Sequence, residues 1–355
     1  MEIIKLSDYS IFIGDIRESL SAFLQQKNYS RLIIICDDNT QRYCLTLIES
    51  ILNQNFIIVK IPSGEQHKHI ETCKFIWQQM MQQGLDRKAL VINLGGGVIG
   101  DMGGFCAATY KRGVDFVQIP TTLLSQVDAS IGGKLGIDFM EVKNSIGVFQ
   151  NPQAVFIDPV FLKTLSEREI RSGFAEIIKH SLIADKVQWR EIWKSEVGSR
   201  KLEGVDFEQF IMPSLKIKQR IVEADPFEKG LRKALNFGHT IGHAVESLML
   251  ETSEPLLHGE AIAIGMICES YLSYKLQGLP QQDLEEISAF ILKIFGHHSL
   301  QEADFQRLVQ LMQNDKKNEG DQINFTLINP IGSAIINQNA SAEEIVESLR
   351  YYNQL

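Results

Sequence analysis

Leu90-Val-Ile-Asn-Leu94-Gly95-Gly96-Gly97-Val98-Ile99-Gly100-Asp101 runs from an almost unbroken apolar stretch through three glycines into what should be a helix. Glycine lets the backbone turn tightly and approach a pyrophosphate, whose charge is stabilised by free amides at a helix N-terminus. The spacing is not that of the standard dinucleotide fingerprint, and a glycine-rich strand-to-helix turn also occurs as plain structure. Nucleotide binding and an ordinary turn therefore both remain open on these residues alone.

The neighbouring sequence repeats the rhythm. Arg31–Cys36, Phe56–Ile61, Phe116–Ile119 and Ala154–Ile157 are short, β-branched and nearly continuous in apolar character, which suits strands of a parallel sheet covered on both faces. Helical patterns fall between most of them, as from Lys68 to Gln83, giving the βαβ order of a Rossmann-like, doubly wound domain. After Asp158-Pro159 amphipathic helices take over, including Phe207 to Glu223, Thr240 to Met249 and Ala261 to Lys275. Ile323–Ile328 and Ser333–Ile336, around Asn329-Pro330, look like a small hairpin. The expected organisation is an α/β domain over 1–160 followed by a mainly helical domain over 161–355.

Composition narrows the class. With 355 residues, 44% hydrophobic and 22% charged, the chain has material for two globular cores. A net charge of −9 repels polyanions, arguing against nucleic acid or anionic membrane as a general partner. The five cysteines are odd in number and form no CxxC pair, so neither a disulfide framework nor a thiolate metal site is signalled and a reducing cytoplasm is expected. The first residues lack the basic start and apolar run of a secretory signal, and no apolar stretch is long enough for a transmembrane span.

In the helical half, Asn236-Phe-Gly-His239-Thr-Ile-Gly-His243 is followed by His258-Gly-Glu260 and preceded by Ala175-Glu176-Ile-Ile-Lys179-His180. Two imidazoles and a carboxylate can hold a divalent ion and leave one position open for a substrate oxygen. His239 and His243 would share a helix face with or without a metal, but a third histidine within the same short, glycine-dense segment favours a site. In the first half, Asp37 and Asn39, Ser63-Gly64-Glu65-Gln-His-Lys68 and Pro120-Thr121-Thr122 each follow a strand, at the carboxyl edge where open α/β sheets bind ligands. Turn or capping chemistry accounts for any one of them singly. Basic residues recur beside flexible backbone at Arg112, Lys134, Lys143, Lys179, Lys218, Arg232 and Lys316-Lys317, as a clasp for a phosphorylated ligand would require.

Taken in order, these blocks resemble the 3-dehydroquinate synthase family over about Asp37 to Lys317. The most specific are Gly95 to Asp101, Thr109-Tyr-Lys-Arg112-Gly, Pro120 to Lys134, Lys143-Asn144, Glu176-Ile-Ile-Lys179, Asn236 to His243 and His258-Gly-Glu260. The resemblance implies a cyclase that converts 3-deoxy-D-arabino-heptulosonate 7-phosphate into 3-dehydroquinate and phosphate, using NAD+ regenerated at each turnover and one divalent metal, zinc or cobalt. It further implies Glu176, His239 and His258 as metal ligands, with His243 close by but not coordinating. Asp37, Asn39, Glu65, Lys68, Gly96, Gly97, Asp101, Thr121, Thr122, Asp128, Lys134, Lys143 and Thr164 are implied for the cofactor. Asp128, Lys134, Lys143, Asn144, Lys179, Lys218, Arg232, Asn236, His243 and Lys316 are implied for the substrate, the phosphate being met by Arg112, from the partner subunit of a homodimer. Lys143, Lys179, Lys218, Arg232, Asn236 and His243 form the implied catalytic set.

Two features depart from the family pattern. The connector between His243 and His258 lacks the expected glycine-rich turn, and Ser145 stands where an apolar residue is usual. Two rival readings share the plan: a sister cyclase making an inosose or valiolone, and a metal-dependent alcohol or glycerol dehydrogenase. The residues around Asn236 follow the dehydroquinate pattern.

Overall fold

The computed structural model describes residues 1–52, 55–140, 142–195, 207–250, 252–313 and 323–355. The chain divides into two compact units, Met1–Ser166 and Glu167–Leu355, so the change of architecture falls slightly later than the expected boundary at residue 160.

Unit 1 is built on a seven-stranded sheet ordered β1-β2-β9-β6-β5-β3-β4. Its strands are β1 (Glu2–Lys5), β2 (Ser10–Ile13), β3 (Leu32–Asp37), β4 (Phe56–Ile61), β5 (Leu90–Gly95), β6 (Asp115–Pro120) and β9 (Ala154–Ile157). Only β1 pairs antiparallel; the other neighbours run parallel. Helices α1 (Ile16–Gln26), α2 (Asp38–Tyr43), α3 (Leu45–Glu49), α4 (Ile70–Gln82) and α5 (Gly97–Thr109) cover it. Strand alternation produces two cores. Leu32, Ile34, Leu90, Ile92 and Phe156 pack with Leu20 and Ile48 on one face, while Ile33, Ile35, Val91 and Phe116 pack with Ile76 and Met102 on the other.

A two-stranded ribbon, β7 (Lys134–Phe139) with β8 (Val142–Phe149), lies against α5. That helix is therefore covered from two sides, and its glycines permit it: a Cβ on Gly103 would stand 2.0 Å from Asn93 Oδ1, and one on Gly104 2.5 Å from Leu135 Cδ2. The sequence reading anticipated β3, β4, β5, β6 and β9; β1, β2 and the ribbon are additions.

Unit 2 contains α6 (Glu167–Ala184), α7 (Lys186–Lys194), α8 (Glu208–Ala224), α9 (His239–Met249), α10 (His258–Gln277), α11 (Gln281–Phe295), α12 (Phe305–Gln313) and α13 (Ala342–Asn353), with the expected hairpin as β10 (Asn324–Ile328) and β11 (Ala334–Asn339). α10 is buried nearly all round and packs against α6, α9, α11 and α13. Where α9 crosses α10, side chains are missing by necessity, since a Cβ on Gly265 would lie 1.9 Å from the Gly238 carbonyl oxygen and one on Gly242 2.8 Å from Ile262. This close crossing brings the first turns of the two helices together.

Candidate metal centre and nucleotide cradle

The metal-like residues converge. His239 opens α9 and His258 opens α10, while Glu176 lies mid-way along α6. Nε2 of His239 and of His258 stand 3.7 and 3.6 Å from Glu176 Oε1, and the donor atoms of the three residues all lie within 4.8 Å of one another. In a tetrahedral centre with metal–donor bonds of about 2.0–2.2 Å, donors are spaced about 3.3–3.6 Å apart, so this set fits a divalent cation. The imidazoles are aimed by their other nitrogens: His239 Nδ1 lies 3.1 Å from the Phe237 carbonyl oxygen, and His258 Nδ1 lies 3.4 Å from Glu246 Oε2. Such partners fix ring orientation and raise ligand basicity.

Local sequence explains how α6 and α10 reach this register. The Gly259 amide donates to Ser172 Oγ at 3.0 Å, and a Cβ on Gly259 would sit 2.0 Å from the Ser172 carbonyl oxygen, so only glycine permits the approach. Glu260 accepts from the Leu257 amide at 2.8 Å, closing the start of α10, and Arg168 on α6 grips the same carboxylate through Nε and Nη2 at 2.8 and 2.6 Å. Glu176 follows Ser172 by one turn and so faces His258.

Lys179, three residues after Glu176 and 1% exposed, pairs with Glu176 Oε2. Lys218 is buried on α8, one turn after Ser214, whose hydroxyl meets His180 Nδ1 at 2.6 Å. His243 lies beside the centre, its ring centroid 5.0 Å from that of His239 and 5.8 Å from that of His258. Arg232 and Asn236 come from a loop organised by Asp225, which accepts from the amides of Lys229, Gly230 and Arg232 at 3.0, 2.7 and 3.0 Å. Arg232 Nη1 donates to the Pro226 carbonyl at 2.6 Å, and Asn236 Nδ2 to Glu228 Oε1 at 2.9 Å. Burial disfavours the charged form of His258, but Glu246 and Glu176 outweigh it and raise its pKa to about 9.

Unit 1 gathers the nucleotide-like residues along the carboxyl edge of its sheet. The chain moves outward from β3 to β4 and returns to β5 on the opposite side of β3, which makes the β3–β5 boundary a topological switch point. Asp37 ends β3 and caps α2, accepting from the Thr40 amide at 2.8 Å, with Asn39 exposed in the following turn. Gly96 and Gly97 begin α5; a Cβ on Gly96 would come 3.1 Å from Thr122 Cγ2, and the Thr121 amide donates to the Gly95 carbonyl at 3.0 Å. Thr164 ends the 3-10 turn after β9 and is exposed.

Lys68 is buried and links three segments, bonding Asp101 Oδ2 at 2.7 Å and Asn144 Oδ1 at 2.6 Å, with Glu65 at 3.9 Å. Burial opposes its charge, but the Asp101 and Glu65 carboxylates outweigh it, raising the pKa. Lys143 approaches Glu65 at 3.9 Å, Lys134 opens β7 exposed to solvent, and Asp128 lies in the turn after Thr122. Arg112 stands apart, at the far end of α5 from the glycine loop, about 20 Å along the helix. It adopts a left-handed conformation, φ 67°, and is exposed. Lys316 and Lys317 lie outside the described residues.

Sequence reasoning passed over Glu246, Ser172, Arg168, Asp225 and Asp138. Glu246 follows His239 by seven residues and so shares its helix face, a legible spacing. Asp138 on β7, whose Oδ1 accepts from the Asn144 amide at 2.7 Å, holds the start of β8 that bears Lys143 and Asn144.

A doubly wound sheet with a glycine turn at the start of α5, followed by a helical unit that gathers a His2Glu donor set, is a fold shared by cyclases and dehydrogenases. Solved structures that align with nearly the whole chain include a 2-deoxy-scyllo-inosose synthase complexed with carbaglucose-6-phosphate, NAD+ and Co2+ (TM-score 0.85, 23% identity, 99% of each chain). Another is the 2-epi-5-epi-valiolone synthase of Streptomyces hygroscopicus subsp. jinggangensis with NAD+ and Zn2+ (TM-score 0.84, 25% identity, 100% of this chain and 99% of that one). Glycerol dehydrogenase from Schizosaccharomyces pombe aligns less well, at TM-score 0.60 and 13% identity over 97% of this chain and 88% of that one. Sequence narrows the class. Residues 58–172 match the 3-dehydroquinate synthase N-terminal model and 173–318 the C-terminal model. The 3-dehydroquinate synthase of Parabacteroides distasonis is 42% identical over 97% of both chains, and that of Streptococcus pyogenes serotype M6 38% identical over 97% of this chain and 96% of its own. The chain belongs to the 3-dehydroquinate synthase family.

Proposed function

We propose that this protein is a phosphate-eliminating carbon–oxygen lyase that converts 3-deoxy-D-arabino-heptulosonate 7-phosphate into 3-dehydroquinate and inorganic phosphate, a step of the shikimate route to aromatic amino acids. The observation that carries the reading is the meeting of Glu176, His239 and His258, with Lys179 beside them, in a chain of this family. Bound there, a zinc ion supplies Lewis acidity toward a substrate hydroxyl, while NAD+ supplies a hydride acceptor that is regenerated within the turnover.

The side chains divide the remaining work. Lys179, Lys218 and Arg232 are buried cations able to neutralise oxyanions in a low-dielectric setting, where such donors count most. Asn236 orients hydroxyls. His243, close to the centre without belonging to its donor set, is placed to move a proton near neutral pH. In unit 1, Lys68, Asp101, Glu65 and Lys143 form a charged frame around the glycine turn, where Gly96, Gly97, Thr121, Thr122, Asp37, Asn39 and Thr164 take the nucleotide. By family resemblance, Asp128, Lys134, Lys143 and Asn144 are assigned to the substrate as well. Arg112, exposed and remote from the glycine turn, serves the substrate phosphate from the partner subunit of a homodimer. Five buried free cysteines suit a cytoplasmic protein, and no helix among the described residues is long and apolar enough to cross a membrane.

Purified protein incubated with zinc, NAD+ and the heptulosonate phosphate tests this. Phosphate release with catalytic NAD+ and formation of the carbocycle are expected. Stoichiometric NADH would instead identify a dehydrogenase, and phosphate release from sedoheptulose 7-phosphate alone a valiolone-type cyclase.

A further inference from the structure

Glu269 lies on α10 eleven residues after His258, about three turns along and on the same face. It is 0% exposed. Its Oε2 accepts from the Gly238 amide at 2.6 Å, and its Oε1 from the amides of Thr240 and Ile241 at 3.1 and 3.2 Å. These amides belong to the start of α9, where Gly238, with φ 77° and no side chain, provides no cap of its own. A carboxylate from the neighbouring helix thus does the capping, at the positive end of the α9 dipole.

The Gly238 amide shares a peptide plane with the Phe237 carbonyl, the group that lies 3.1 Å from His239 Nδ1. One planar unit is held through its N–H by Glu269 and meets the imidazole through its C=O. Withdrawal of the N–H partner frees the plane to rotate, and the ring with it. A charged acceptor on the N–H also polarises the carbonyl, strengthening its hold on Nδ1–H.

We infer that Glu269 is a positioning residue for the metal centre, fixing the Phe237–Gly238 peptide so that His239 presents Nε2 to the cation. The inference rests on the reading of Glu176, His239 and His258 as metal ligands. It is tested on the full chain, stripped of metal and titrated with Zn2+ against a chromophoric chelator. Glu269→Gln keeps the shape but sets an NH2 group against a backbone N–H; it should bind Zn2+ about tenfold more weakly, the lower range for loss of an outer partner. Its Co2+-loaded form should show altered d–d absorption at saturation, because the ligand geometry changes. Glu269→Asp, which keeps the charge but withdraws it by one methylene, should fall between, and serves also should the Gln variant not fold. Ser348→Ala removes a buried hydroxyl on α13 that bonds Ile345 O at 2.7 Å; it should lower thermal stability while leaving zinc affinity and the cobalt spectrum unchanged. If the Glu269 variants lose stability yet bind zinc with native affinity and give the native cobalt spectrum, the carboxylate is only structural. A wild-type chain that takes up no equivalent of either metal overturns the centre itself, and this inference with it.

Discussion

At the residue scale the site is a problem of buried charge. Glu176 and Lys179 are buried together in unit 2, and Glu176 also faces the two imidazoles. Removing one member of a buried pair is costly because the other charge stays desolvated. Lys179→Met should therefore destabilise the metal-free protein by about 3–5 kcal/mol in urea unfolding, with zinc restoring much of the loss. Its turnover should fall by about 10²–10³ even with zinc saturating, the range for loss of one well-placed donor. An unchanged unfolding midpoint would mean that Glu176 takes up a proton at no cost. The sequence made the donor types legible, but the i, i+4 pair could not reveal which histidine ligates, since spacing puts both on one face. The structure adds that His239 is the first residue of α9, with its Nδ1 against Phe237 O, whereas His243 lies one turn inside and groups with Glu246 and His258.

At the scale of elements, two contacts fix the site, and each has its own test. The α6–α10 approach depends on the bare Cα of Gly259; Gly259→Ala would press a methyl group to 2.0 Å from backbone oxygen. Overpacking of this kind costs about 1–3 kcal/mol, and because the contact adjoins His258, zinc affinity should fall along with the melting temperature. The loop bearing Arg232 depends instead on a charge. Burial acts to raise the Asp225 pKa, but the amides of Gly230, Lys229 and Arg232, with the Arg232 charge, lower it on balance. A carboxyl depressed in the folded state contributes stability above its unfolded pKa of about 3.9 and loses it as pH falls through the folded value. Asp225→Asn should accordingly flatten the stability profile below about pH 4 and leave its shape near neutrality unchanged, as read by urea titration across pH. β3, β5, β6 and β9 were legible because parallel strands buried on both faces are written as nearly unbroken apolar runs, and edge strand β4 because its Phe56–Val59 is apolar even where it is exposed. β7 and β8 were not, because β8 is mostly exposed and its Val142-Lys-Asn-Ser-Ile-Gly-Val-Phe149 has no such run. Likewise α10 starts at His258, before its apolar run, because Glu260 reaches back to the Leu257 amide.

For the whole molecule, ligands should stabilise by mass action, each through its own unit. Zinc at one hundred times its dissociation constant adds about 2.7 kcal/mol to the stability of what it binds, and chelation should remove it. Hydrogen exchange followed by mass spectrometry locates the effect: zinc should slow exchange at the starts of α9 and α10, and NAD+ at Gly96–Asp101. Protection by zinc confined to unit 1 would contradict the ligand assignment. The two-unit plan was readable from the change in sequence period, with the boundary displaced because Pro159–Thr164 continues the edge of the first unit before α6 begins. One property of the centre follows from how its helix starts are closed. Both imidazoles of the candidate donor set open helices, and a carboxylate closes each of those helix starts, Glu269 on α9 and Glu260 on α10. With both poles offset, the pull on an electron-rich guest would come from the bound cation and the Lys179 ammonium beside it. Among inhibitors of equal size, those presenting an ionised oxygen to the centre should outbind their neutral counterparts, with a margin that shrinks as salt rises.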